Sequence, residues 1–385
     1  MKKILFCTPN LNRTGSEIAL FNIMQHLDRE NFEYSILTLQ KGELLLNKKL
    51  KPTNIYIYSD YQKKKHKLLK RIINRIFGNF NNNLLRSFFE HTLDEYKPDL
   101  CIFNTLITSE LLEFTNQKNV YKILYVHEMD WTYSFFSASQ LRNMIEIPDL
   151  VICCSEISKS HFMKLGRRNN IEVVYPGIDF SEIQTSTDQQ ILRKKLGIPD
   201  GAFVWGMSGT LDRNKNPLLF VQLAFELLVK EHSNCFFIWI GGNKQSGDCY
   251  YAEQVAKNLG IQDRILFTGA LKEAYYDYLN LLDGFVLTSQ NDSFPLVLLE
   301  SFYLGKPIVG LNSGGISELK KITDGCIYIA FDVDELILLM MRVTNSPSSR
   351  FKVNDKISLF SSEQASQNFI NKLITDITQR INFEN

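Results

Sequence analysis

GFVLTSQNDSFPLVLLESFYLGKPIVGL, residues 284–311, reads as one complete strand–helix–strand unit. GFVLTS (284–289) is a short β-rich run, apolar on both faces, as a strand covered on both sides must be. QNDS (290–293) is the loop at its carboxyl end. A helix begins near Pro295, because proline suits the first helical turn and Asp292 or Ser293 can cap it. It ends at Gly305 with Pro307 just beyond, and PIVGL (307–311) is the next strand. Two buried strands joined through a helix run parallel, and a parallel sheet with helices on both faces is α/β.

The same rhythm extends along the chain. Upstream strands are expected at 3–8, 33–39, 54–59, 99–105, 122–128, 149–155 and 172–177. After a polar interruption come 203–209, 235–242, 264–269, 284–289, 307–311 and 326–330. The interruption, SEIQTSTDQQILRKKLGIPDG (181–201), marks a linker region between a first domain (1–180) and a second (202–357). The expectation is two doubly wound domains facing a cleft, with ligands at the carboxyl ends of the strands. The last segment (358–385) predicts a C-terminal helix, with Ser362 in its N-terminal cap region, packing back toward the first domain.

Length and composition narrow the class. The chain has 385 residues, 44% hydrophobic and 22% charged, as for a globular protein of two domains. A formal net charge of +1 gives no global field for nucleic acid, so none is expected as a partner. Seven cysteines, mostly in apolar runs and without a C-x-x-C pair, read as buried free thiols in a reducing compartment. The opening MKKILFCTPN is a first strand rather than a leader, because its apolar run stops at Thr8-Pro9 without a cleavage site. No uninterrupted apolar stretch of about 18 residues occurs, so no membrane span is expected, and with the reduced cysteines the expected place is the cytoplasm, including peripheral contact at the inner face of the membrane.

Four loops at strand ends could carry chemistry. Asp292 lies in the loop after 284–289. Glu300 falls in the row Leu296–Glu300–Leu304 of a largely apolar helix, where a carboxylate needs donors from the protein or from a ligand's hydroxyls. A cap and a Glu–Lys pair would explain the same two acids. SGTLDRNKNPLLF (208–220) sets Gly209, Thr210, Arg213 and Lys215 before a helix start at 216–217, an arrangement suited to phosphates or an ordinary βα turn. PNLNRTGSEIALFNIMQHL (9–27) puts Gly15 at the opening of a helix but lacks the three-glycine dinucleotide fingerprint. YVHEMD (125–130) closes a strand on His127, one of six histidines and not spaced for a metal site with the others. Such a histidine is either a crevice group or a hydrogen-bonded structural one.

Two further signals read otherwise. Asp-Val-Asp at 332–334 precedes the helical ELILLMMRV, so it is a helix cap rather than a metal-binding pair, and no metal is expected. Residues 61–89 carry eight Lys/Arg and no Asp or Glu, with Leu68, Leu69, Ile72, Ile73, Ile76 and Phe77 on one helical face. The stretch 63–76 is a surface helix of its own domain or a peripheral contact with an anionic membrane or acceptor.

Taken together, RTGSEIALFNIMQHL, VHE, YPGID (175–179), SGTLDRNKNP, FTGAL (267–271) and LTSQNDSFPLVLLESFYLGKPIVGLNSGGISE resemble the retaining glycosyltransferases of the GT-B fold, family 4. The resemblance covers nearly the whole chain. Asp292-x7-Glu300 corresponds to the family's E-x7-E motif, with Asp in place of the first Glu. It implies that Asp292 and the loop Ser293, Phe294, Pro295 and Leu296 meet the donor sugar, and that Glu300 accepts from the ribose hydroxyls. Lys215 would neutralise the diphosphate, His127 would contact the sugar near its 6-position, and Gly15 would let its loop approach the ligands. Thr210 stands where many members carry an arginine, and Arg213 is the nearby substitute in sequence.

The expected activity is metal-independent transfer of a hexose-like sugar from a UDP- or GDP-linked donor to an acceptor hydroxyl of a glycan, glycolipid or glycoprotein, with retention and without a cofactor. The catalytic residues would be Lys215, His127 and Asp292. A nucleotide-sugar epimerase or hydrolase, and a non-catalytic partner subunit or glycan-binding protein, are the alternatives on the same scaffold.

Overall fold

Among the described residues, every expected strand forms and all the sheet pairings are parallel. The structure is a computed structural model, and it describes residues 1–69, 80–115, 118–322, 326–345 and 355–384. The first sheet comprises β1 (Lys2–Thr8), β2 (Phe32–Thr38), β3 (Ile55–Ile57), β4 (Leu100–Asn104), β5 (Tyr121–Val126), β6 (Leu150–Cys153) and β7 (Ile171–Val173), in the order β3-β2-β1-β4-β5-β6-β7. The second comprises β8 (Phe203–Ser208), β9 (Cys235–Ile240), β10 (Ile265–Phe267), β11 (Gly284–Leu287), β12 (Ile308–Leu311) and β13 (Ile327–Ala330), in the order β10-β9-β8-β11-β12-β13. Each order reverses once, between β1 and β4 and between β8 and β11. At such a reversal neighbouring connections leave on opposite faces and open a crevice at the strand ends.

The two compact units are Met1–Ile178 with Ser362–Asn385, and Asp179–Ser361. The first has a core of Leu5, Cys7, Phe89, Phe103, Leu124 and Val151, all buried. The terminal helix Ser362–Glu384 belongs to it: Ser366 Oγ donates to the Asn22 carbonyl at 3.0 Å, and Phe369 lies 5.3 Å from Tyr125, ring to ring. Ser362 is the first residue of that helix. Its N–H donates to Ile178 O at 2.8 Å and its hydroxyl bonds His26 Nε2 at 2.9 Å. All seven cysteines are buried and unbridged.

The stretch 181–201 is not a free linker. Asp277 accepts from the backbone N–H groups of Ser186 (2.7 Å) and Thr187 (3.1 Å) and from both their hydroxyls (2.9 and 2.7 Å). Asp188 then caps the helix Gln189–Lys195. The polarity that suggested a connector is the polarity of caps and docking contacts inside the second unit.

In the second core, Phe220 packs edge-on against Phe237 and Trp239 at 5.7 and 5.4 Å. Asp332 is a helix cap, accepting from Glu335 N–H at 2.8 Å ahead of Val333–Asn345. The basic stretch 63–76 lies in part outside the described residues; the helix described there is Tyr58–Leu69. No helix among the described residues is long and apolar enough to cross a membrane.

Candidate functional site

The loops after β8 and β11 meet at the reversal point of the second sheet. Ser208 ends β8, and the next turn is shaped by Asp212, which accepts from the Thr210 hydroxyl at 2.5 Å and from Lys215 N–H at 3.0 Å. Asn216 takes the left-handed conformation (φ 60°), which asparagine tolerates better than most residues. Its side chain caps the helix Pro217–Phe225 by accepting from Leu219 N–H, with Pro217 in the first turn. Below the turn, the Trp239 indole donates to Gly209 O at 3.2 Å and ties the loop to the core.

The two loops are stitched together. Asn214 Nδ2 donates to Asn291 O (2.8 Å), its Oδ1 accepts from Asn291 N–H (3.1 Å), and Thr288 Oγ1 donates to Lys215 O (2.7 Å). This register places Lys215 Nζ 2.5 Å from Asp292 Oδ2, with both side chains largely sheltered (22% and 13% exposed). Asp292 therefore does not cap the following helix, Leu296–Tyr303. That helix has Pro295 at its N-cap, which carries no side-chain acceptor, and Asp292 lies three residues ahead of it. Asp292 is also clasped through its backbone, donating to Ser313 O (2.9 Å) and accepting from Gly315 N–H (2.8 Å). A Cβ on Gly315 would lie 2.1 Å from Ser293 O, so only glycine permits this approach.

Glu300 is half-buried one turn into its helix. Its Oε2 accepts from the Tyr275 hydroxyl at 2.7 Å and its Oε1 from Tyr276 at 3.2 Å. The sequence left a ligand or the protein as its donors, and the protein already supplies two. Phe294, Pro295 and Leu296 are buried, so at this edge they offer main chain rather than side chains. Arg213 and Thr210 are exposed. Arg213 lies two residues before Lys215 in the same turn, with its side chain open to solvent.

In the first unit the ends of β1, β4 and β5 gather a second group. His127 Nε2 lies 2.9 Å from Asn104 Oδ1. The Asn104 amide nitrogen faces Thr8 Oγ1 and Ser16 O, at 3.4 Å each. That assigns the oxygen to the histidine, so Nε2 carries the proton. Burial pushes the imidazole pKa down to about 3, and His127 is neutral at ordinary pH. Glu128 accepts from Leu106 N–H and His127 N–H, at 2.9 Å each, yet burial pushes its carboxyl up to about 7, with the Glu17 charge adding to the rise. Glu17 is itself raised by burial, against hydrogen bonds that include the Ser16 hydroxyl at 2.7 Å. Gly15 opens the helix Gly15–Gln25, and an added Cβ there would meet no heavy atom within 4 Å.

The structure thus joins Gly209, Lys215, Asp292 and Ser293 at one strand edge of the second unit, with Glu300 on the helix that follows, and puts Gly15 and His127 at a strand edge of the first. Sequence reasoning missed Asn104, Glu128, Asp212, Tyr275, Tyr276 and the pair Gly241–Gly242. The glycine pair did leave a signal, two glycines directly after a strand. Both have positive φ (96° and 78°), and a Cβ on Gly242 would press Leu211 at 2.7 Å.

Two family models match, one for each half of the chain: Glycosyltransferase Family 4 over residues 13–182 and Glycosyl transferases group 1 over residues 188–357. A similar curated protein is the UDP-Gal:alpha-D-GlcNAc-diphosphoundecaprenol alpha-1,3-galactosyltransferase of Escherichia coli, 30% identical over 46% of this chain and 45% of its own. Another is the lipopolysaccharide core biosynthesis glycosyltransferase LpsD of Rhizobium meliloti, 26% identical over 59% and 61%. The chain spans about half the length of the curated relatives it matches. Among solved structures, Anabaena Alr3699/HepE in complex with UDP-glucose superposes with a TM-score of 0.77 at 21% identity, covering 97% of this chain and 100% of that one. WaaG, a glycosyltransferase involved in lipopolysaccharide biosynthesis, gives 0.66 at 13% over 94% of each. At these identities the solved structures bear on fold alone. With both halves matched and two parallel Rossmann-like units in place, the chain belongs to the family 4 glycosyltransferases of the GT-B fold, glycosyl transferases group 1.

Proposed function

We propose that this protein transfers a sugar from a nucleotide-diphosphate donor to an acceptor hydroxyl in glycan or glycolipid biosynthesis, with retention at the anomeric carbon. The observation that carries the reading is the convergence of Lys215 and Asp292 at the strand reversal of the second sheet, with Glu300 one turn into the helix that follows. A cation beside a helix start suits a diphosphate. A paired carboxylate at the same point suits sugar hydroxyls once the phosphate takes over the lysine. Glu300 suits the ribose. The names of the similar proteins favour a UDP-linked donor: the E. coli relative is named for UDP-galactose, and the HepE structures hold UDP or UDP-glucose.

In the reaction the bond between the anomeric carbon and the donor phosphate oxygen breaks, and the acceptor oxygen bonds to that carbon on the same face. The acceptor proton passes to the departing phosphate oxygen, giving the glycoside and the nucleoside diphosphate. Lys215 and the 216–217 helix start stabilise the charge that develops on the diphosphate, the main electrostatic task in such a step. Because Lys215 supplies that charge, we read the transfer as independent of a divalent cation, so chelation should leave turnover unchanged. His127, being neutral, meets a hydroxyl as a hydrogen-bonding group rather than as an acid. We assign the acceptor to the first unit. A cytoplasmic location, with peripheral contact at an anionic membrane, fits an acceptor on a lipid carrier such as the one the E. coli relative's name specifies.

The test is a nucleotide-release screen over UDP- and GDP-sugars, with and without candidate acceptors, repeated on Glu300→Ala. Transfer requires release that depends on acceptor and falls in the variant. Release without acceptor would instead mark a hydrolase or epimerase. Failure of the wild-type chain to bind any nucleotide would mark a partner subunit.

A further inference from the structure

Glu300 does not stand alone in the second unit. Tyr275 and Tyr276 open the helix Tyr275–Leu281, and successive helical residues ordinarily point about 100° apart. Here the two rings meet edge to face, 5.0 Å between centroids at 71°, and their hydroxyls converge on one carboxylate, one on each oxygen. The Tyr275 hydroxyl also lies 3.0 Å from Ser208 Oγ, at the end of β8 where the Lys215 loop begins. A phenol has one proton, and the ionised carboxylate can only accept. Tyr275 therefore donates to Glu300, and Ser208 donates to Tyr275. Burial and the Glu300 charge push the Tyr275 pKa well above its usual value, which keeps the donor protonated.

We infer that Tyr275 and Tyr276 are positioning residues that aim the two oxygens of Glu300 at a ribose 2′,3′-diol, making this site selective for ribonucleotides over 2′-deoxyribonucleotides. The inference rests on the donor reading above. Each tyrosine donates to a different oxygen of Glu300, so together they fix the plane of the carboxylate. A vicinal diol needs both oxygens in a fixed plane. Two donors on a rigid helix start set that plane, and Ser208 ties it to the lysine loop. Discrimination by hydrogen bonding to a substrate hydroxyl is strong only when the site groups are held in this way.

The experiment is calorimetric titration of the full chain with UDP, GDP and their 2′-deoxy counterparts, on wild type, Tyr275→Phe, Tyr276→Phe and the double variant. Phenylalanine keeps the rings and removes only the hydroxyls. Wild type should prefer the ribonucleotide about tenfold, in line with one charged hydrogen bond. Tyr275→Phe should cut that preference about three- to fivefold, Tyr276→Phe less because its contact is longer, and the double variant should nearly abolish it. Ser208→Ala should act in the same direction as Tyr275→Phe, and it provides a second route should that variant fold poorly. If the variants bind but keep the wild-type preference, the tyrosines are only structural and the inference falls alone. If wild type binds no nucleotide, the donor reading falls and takes the inference with it.

Discussion

The two sheets share one strand order over six strands, yet their carboxyl edges are built differently. At the edge of β8 and β11 the groups are charged: Lys215 faces Asp292 at 2.5 Å, and Glu300 sits under two hydroxyl donors. At the edge of β1, β4 and β5 charge is suppressed. His127 is held neutral, and burial lifts the carboxyls of Glu128 and Glu17 toward their protonated forms. We read the first kind of edge as suited to an anionic ligand and the second as suited to hydroxyls. One topology supplies the crevices; the residues at the strand ends decide what each can bind.

The largest effect that would break this contrast is on turnover. Lys215→Ala should lower it about 10²- to 10³-fold, as removal of a group aimed at developing charge does elsewhere, with the melting temperature little changed. A loss below about threefold in a folded variant would remove the lysine from the mechanism.

Next in size is the pH dependence of stability set by the neutral edge. Glu128 has a folded pKa of about 7 against an unfolded value near 4.5, so the folded state holds the extra proton. Its contribution is fully present below pH 4.5 and lost as pH rises through 7, on the order of 3 kcal/mol. Glu128→Gln should flatten the fall in melting temperature across that window, whatever constant offset the amide introduces. His127 has the opposite sign. With its pKa lowered to about 3, its contribution is present above pH 6.5 and lost as pH falls toward 3. Its imidazole should therefore show no titration between pH 5 and 8 by nitrogen-15 NMR. A midpoint near 6.5 would mean that this edge is not the neutral one.

A double-mutant cycle on Lys215→Met and Asp292→Asn should give a coupling of about 1–2 kcal/mol in the unliganded protein, as expected of a sheltered pair. Saturating nucleotide diphosphate should reduce it, since the phosphate competes for the lysine. Smallest is Asn216. Asn216→Ala loses a cap and strains a left-handed residue, costing about 1 kcal/mol in chemical denaturation, whereas Asn216→Gly should cost only a few tenths.

The contrast also explains what the sequence made legible. The strands were readable because parallel strands buried on both faces are apolar throughout, and turn residues punctuate them. Lys215, Asp292 and Glu300 were readable because each sits in a contiguous loop or a fixed x7 spacing. What escaped was set by topology. Asn104 meets His127 across 23 positions, and Tyr275 meets Glu300 across 25. Neither spacing means anything until β4 lies beside β5 and the 275–281 helix beside Glu300. The part Asp292 plays shifted for the same reason. Local rules made it a cap, and the neighbouring loop offered a lysine instead. Residues 181–201 read as a linker region because caps and linkers share a composition, and the structure uses their polar groups as caps and contacts inside the second unit.

The central claim is that the second unit binds a nucleoside diphosphate at the Lys215 loop and the Asp292–Glu300 segment. The direct test is calorimetric titration of the full chain with UDP and GDP, on wild type, Lys215→Ala and Glu300→Ala. One of the two nucleotides should bind wild type, with affinity at least tenfold weaker in each folded variant. Equal affinity in all three proteins, or no binding by wild type, would contradict the account.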